Sequence, residues 1–127
     1  MKGLRPDEVL ERVPEKMLRS RGVIPKDLAL FQDHFPKFPV LPGVLSLEIL
    51  KCSIENCLEI SKNRTNRLKL IRVDNVRFQQ FLRPGETWEC QVTRISLPGE
   101  SPSTWTGTLR VQARRAMTAR LVVDQAL

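Results

Sequence analysis

The sequence predicts an α+β fold in which an antiparallel sheet curls around one long helix. Three observations predict it. In residues 43–60, Leu47, Leu50, Ile54, Cys57 and Leu58 fall on one stripe at helical spacing, and Leu45, Ile49 and Cys52 add a second apolar face. A helix apolar on two faces is covered by other elements on most sides. The stretch after it alternates at period two: Trp88, Cys90 and Val92, then Trp105, Gly107, Leu109, Val111 and Ala113, then Met117, Ala119, Leu121 and Val123. Turn signals separate these runs. The order is one strand, one long helix and four strands in succession, which gives a sheet of about five strands.

The elements follow in order. Residues 6–13 read as a short helix within an N-terminal segment of residues 1–15. Pro6 suits a first helical turn, Asp7 and Glu8 suit the positive end, and Pro14 stops it. Residues 16–24 read as the first strand, ended by Pro25. Residues 26–42 read as a loop stiffened by Pro36, Pro39 and Pro42. The central helix spans 43–60, and residues 61–66 form a polar loop. Residues 67–80, rich in Leu, Ile, Val and Phe, are strand-like. Arg83, Pro84, Gly85 and Glu86 make one turn, and residues 97–102 make another.

A chain of 127 residues is most simply a single domain. Small domains are often completed by an oligomer interface. No apolar run approaches the ~18 residues a membrane helix needs. The first eight residues carry acidic groups early and lack a continuous apolar core, unlike a signal peptide. Three sparse cysteines, Cys52, Cys57 and Cys90, fit a reducing cytoplasm rather than a disulfide framework. The net charge of +7 suits an acidic or phosphate-bearing partner. Nucleic acid is disfavoured, because the basic residues are scattered and do not interleave with aromatics. One histidine and no C-x-x-C pair argue against a zinc site. No glycine-rich phosphate loop or dinucleotide fingerprint is present, so no nucleotide cofactor is implied.

Chemistry concentrates between His34 and Glu48. This stretch holds the only histidine, three of the nine prolines, the Pro42–Gly43 pair and one carboxylate in an apolar run. By itself a loop histidine is as readily structural as catalytic, and Gly43 as readily a turn residue. Glu48 has apolar neighbours one turn away at Val44 and Cys52, unlike the side bearing Lys51, Glu55 and Glu59, so it is expected to be buried.

A motif bears on these alternatives. His34, Phe35 and Pro36, then Pro39 and Val40, then Pro42, Gly43, Val44 and Leu45, then Glu48, resemble the H-F-P-G-x-P-V-M-P-G-V-L motif and following acid of the (3R)-hydroxyacyl-acyl-carrier-protein dehydratases of the hotdog fold. Arg77, Phe78, Pro84, Gly85 and Glu86 resemble that family's second block, K-F-x-x-P-V-x-P-G-D. The resemblance covers roughly residues 16–123. It implies that His34 is the base removing the α-proton, Glu48 the acid protonating the leaving hydroxyl, and the Gly43 backbone N–H the donor to the thioester oxygen. A free N–H at a helix start suits that last role.

The resemblance further implies a double-hotdog homodimer with each site shared between chains, and higher assemblies of such dimers occur in the family. Phe31, Phe35, Phe38, Pro42, Val44 and Phe78 are expected at the acyl group, although each aromatic is individually as well explained by core packing. An acidic acyl carrier protein, or an acyl-CoA thioester, is the expected partner, with Arg77, Arg83, Arg114 and Arg115 as docking residues. No cofactor is expected beyond the phosphopantetheine that the substrate carries. The chain departs from the family at Asp33 and Lys37, where glycine is usual, and at Cys52, where glutamine is frequent. Cysteine is the poorer hydrogen-bond donor, so weaker support for the acid is expected there. A non-catalytic acyl-thioester-binding hotdog protein and a hotdog thioesterase are the alternative readings.

Overall fold

The computed structural model describes residues 5–26, 43–58 and 68–125. The described chain runs β1 (Glu8–Val13), β2 (Met17–Val23), α1 (Gly43–Cys57), β3 (Leu68–Phe78), β4 (Thr87–Arg94), β5 (Ser103–Val111) and β6 (Arg114–Gln125). The strands form one antiparallel sheet in the order β1-β2-β4-β5-β6-β3. The expected long helix is present, and it packs against β2, β3, β4 and β5. Loop expectations for residues 27–42 and 61–66 lie outside the described residues.

Period-two alternation builds the inner face. Along β5 every second residue is buried, from Ser103 through Trp105, Gly107 and Leu109 to Val111. β4 does the same with Trp88, Cys90 and Val92. These side chains meet Ile49, Leu50, Ile54 and Cys57 of α1, all fully buried. Burying a side chain the size of Leu50 contributes about 1.5–3 kcal/mol. The helix sits close on the sheet because position 107 is glycine: a Cβ there would come 2.9 Å from both Leu50 methyl groups.

The predicted N-terminal helix is a strand. A lone turn or two of helix gains few hydrogen bonds for the dihedrals it fixes. β2, by contrast, offers a free ladder. The Asp7 N–H donates to the Arg21 carbonyl at 2.9 Å, and the Asp7 carboxylate accepts from the Val23 N–H at 3.1 Å. Pro14 opens a tight turn rather than stopping a helix: Glu15 has φ of 61°, and the Lys16 N–H donates to the Val13 carbonyl at 2.9 Å. β1 makes the sheet six-stranded. It is also tied to the far end of α1, where Arg12 Nη2 donates to the Cys57 carbonyl at 3.2 Å, a favourable place for a cation.

Two smaller differences concern single residues. Ala113 is not part of a strand. Gln112 and Ala113, with φ of 53° and 65°, form the two-residue turn joining β5 to β6. Glu55, on the side expected to be solvated, is only 4% exposed and accepts the Leu68 N–H at 3.4 Å. The start of β3 lies over this side of the helix and supplies the donor that buried carboxylates require.

Candidate active site

The helix start carries no acidic side chain among the described residues. Gly43 is the first residue of α1. The N–H groups of a helix's first turn lack intrahelical partners, so they can serve an oxygen carrying negative charge. The Phe78 ring of β3 lies directly on Gly43: a Cβ there would come 2.7 Å from Phe78 Cζ and 2.8 Å from Cε1. Phe78 also stacks on Phe81 with ring centroids 6.2 Å apart. The fold thus brings together Gly43 and Phe78, thirty-five positions apart in sequence. Phe78 stays 45% exposed, so it forms a surface wall beside the helix start.

Glu48 follows five residues later, about 7.5 Å further along the axis at 1.5 Å per residue. In this single chain it is half-buried. Its Oε1 accepts a hydrogen bond from the Cys52 thiol at 3.8 Å. Cys52 is 2% exposed. Burial first, then the nearby Glu48 and Glu55 carboxylates, push its thiol up to about 11. It stays protonated at neutral pH and acts as a donor. The cysteine that replaces the family's frequent glutamine therefore still reaches the acid, although sulfur is the weaker donor.

Beneath it lies a second small polar cluster. Ser20 and Ser53 hydroxyls are 3.2 Å apart and fully buried. Burial raises the neighbouring Cys90 thiol to about 12, against the lowering effect of hydrogen bonds with Ser53 and Ser20. These groups satisfy one another where α1 meets β2 and β4.

The structure does not test every expected site residue. His34, Phe31, Phe35, Phe38 and Pro42, with the altered neighbours Asp33 and Lys37, lie outside the described residues. Val44 lies on α1, and its side chain is outside the description. Among the expected docking residues, Arg77 and Arg115 share one groove on the outer sheet face, lined also by Arg120. Arg83 lies apart in the β3–β4 connection, where its N–H donates to the Glu86 carboxylate at 2.6 Å. Arg114 begins β6, outside that groove. Arg120 was not singled out from the sequence. Its signal is the cross-strand register with Thr106, which sequence alone does not supply. No group of metal-ligating side chains occurs among the described residues, and no described helix is long and apolar enough to cross a membrane.

Residues 10–106 match the ApeI-like family model, described as ApeI dehydratase. The chain belongs to this dehydratase family. It is 40% identical over 95 residues to the 3-hydroxyacyl-acyl-carrier-protein dehydratase FabZ of Oceanobacillus iheyensis, covering 73% of this chain and 67% of that one. It is 35% identical over 91 residues to the FabZ of Burkholderia cenocepacia, covering 68% of this chain and 59% of that one. A chain of the dehydratase heterocomplex ApeI:P from Xenorhabdus doucetiae superposes with a TM-score of 0.70 over 94% of this chain and 98% of that one, at 18% identity. That likeness is one of fold. The six-stranded sheet around α1 is the hotdog fold of the ApeI-like dehydratases.

Proposed function

We propose that this protein is a hydro-lyase that dehydrates a 3-hydroxyacyl thioester, carried on acyl carrier protein, to the trans-2-enoyl thioester in fatty acid or related lipid synthesis. The observation that carries the reading is the pairing of a helix start at Gly43, free of acidic side chains in its first turn, with the Cys52-supported carboxylate of Glu48. Both stand at the dehydratase motif positions.

The chemistry follows from the groups. The Gly43 N–H donates to the thioester oxygen as negative charge gathers there. His34 takes the proton from C2. A proton passes from the Glu48 carboxyl to the hydroxyl on C3, the C–O bond breaks and water leaves. His34 ends protonated and Glu48 ionised, and solvent exchange resets both. The elimination involves no net oxidation or reduction, so it requires no redox cofactor.

The active form is a homodimer joined along β3, with His34 of the partner subunit facing Glu48. Supporting this, β3 is an edge strand with Leu70, Ile71, Val76 and Phe78 exposed, a surface that a second copy covers by continuing the sheet. The partner in catalysis is an acidic carrier protein, for which the net charge of +7 is suited.

The test is turnover of 3-hydroxyacyl thioesters of several chain lengths, followed by enoyl thioester absorbance. Glu48→Gln is expected to lower kcat about 100-fold or more. An unchanged rate would remove Glu48 from the chemistry. Release of free thiol instead of enoyl product would make the protein a thioesterase.

A further inference from the structure

The outer face of the sheet, opposite α1, is electrostatically divided. On its β1-β2-β4 half the charges are paired. Arg19 meets Glu11 at 3.3 Å, and Arg21 meets Glu89 at 3.0 Å and Glu8 at 3.6 Å. On the β5-β6-β3 half, Arg77, Arg110, Arg115 and Arg120 are exposed and have no ion-pair partner among the described residues. The carboxylate in register with Arg120, Asp74, is engaged by Arg72 at 2.8 Å. Arg110 and Arg115 stand directly opposite each other on adjacent strands, an arrangement that costs stability through like-charge repulsion.

Arg77, Arg115 and Arg120 line a shallow groove of about 420 Å³ with the hydroxyl-bearing Thr106, Thr108 and Thr118. Arg77 stands on β3 and Arg115 and Arg120 on β6, where five residues of strand separate the last two, so the guanidinium groups spread over roughly 16 Å. That spacing suits a row of carboxylates on a protein surface better than one compact phosphate. Arginine also grips carboxylates in bidentate fashion. The groove lies across β3 from the candidate site, because Arg77 precedes Phe78. Strand alternation puts Arg77 on the outer face and Phe78 against Gly43.

We infer that the arginine half of the outer face is the docking surface for the acidic carrier protein that delivers the thioester. The inference rests on the proposed dehydratase reading and fixes where its partner binds. It retains Arg77 and Arg115 of the residues expected from sequence, adds Arg120, and leaves out Arg83 and Arg114.

The experiment compares the intact protein with Arg77→Glu/Arg120→Glu on three substrates: a 3-hydroxyacyl carrier protein, the same acyl group on CoA, and the same group on N-acetylcysteamine. The ratio of kcat/KM for the carrier substrate to that for the N-acetylcysteamine thioester is expected to fall about tenfold or more at low salt, through KM. The wild-type ratio should decline as salt rises. Arg19→Glu, on the paired half, should change the ratio by no more than about twofold. An unchanged ratio in Arg77→Glu/Arg120→Glu overturns the inference. An equal loss with CoA also overturns it, because the groove then holds a phosphate rather than a protein. If the wild type turns over none of the three, the dehydratase reading fails. Titration of both proteins with the carrier then still decides docking, with equal affinities overturning it.

Discussion

The two edges of the sheet are built to opposite ends. β1 is six residues long, carries Glu8, Glu11 and Arg12, and is bulged between Val9 and Glu11. Arg12 and the Cys57 thiol stitch it to the end of α1. Charge, shortness and a bulge are the usual means of keeping an edge from pairing with another chain. β3 is eleven residues long and exposes Ile71 at 50% and Phe78 at 45%, beside Leu70 and Val76. It is bulged as well, yet its exposed surface is apolar. One edge is finished within the chain. The other is left apolar and unpaired among the described residues, the surface that the proposed second copy would cover, and the candidate site lies beside it.

The sharpest way to break this contrast is to charge β3. Ile71→Lys with Val76→Lys is expected to yield monomers on light-scattering chromatography and to abolish turnover, because in the proposed dimer the site draws residues from both chains. Val9→Lys, a similarly exposed valine on β1, should leave the dimer intact. Equal behaviour of the two variants would erase the distinction between the edges.

A smaller effect is expected at the contact of α1 with β3. In Gly43→Ala the new Cβ meets the Phe78 ring, which is exposed enough to swing aside. The melting temperature should move by only a few degrees, while kcat falls about 10- to 100-fold through misplacement of the helix start. Adding Phe78→Ala should recover part of the loss. A wild-type rate in Gly43→Ala would detach this contact from function.

The smallest effect is a pH dependence carried by the closed side of the molecule. The Cys52 thiol, ordinarily losing its proton near 9.0, is held up to about 11 in the fold, chiefly by burial. Between those values the unfolded chain binds fewer protons than the folded one. Stability is therefore complete below pH 9 and declines as pH rises from 9 to 11. Cys90 acts in the same direction. Urea midpoints at pH 8 and pH 10.5 measure the decline, and Cys52→Ser should make it shallower. A midpoint that does not move would contradict the burial of both thiols.

Much of this was legible from residue order. The apolar stripes of α1 and the alternation in β4, β5 and β6 read directly, because burial on one face leaves a period in the sequence. The motif positions of Gly43 and Glu48 were equally legible. β1 was misread because Pro6, Asp7, Glu8 and Pro14 carry helix-boundary chemistry locally, while the competing ladder comes from β2. The solvated reading of Glu55 failed for the same reason: its backbone donor, Leu68, lies thirteen residues away.

The sequence alone determined the fold class, the central helix and the residue types offered to the chemistry, since these follow from periodicity and short motifs. Only the tertiary structure decided that β3 is an exposed edge, that Phe78 rests on Gly43, and which arginines on the outer face stay unpaired among the described residues. Each depends on strand order and register. Those are set by long-range hydrogen bonding and core packing, which leave no local period to read.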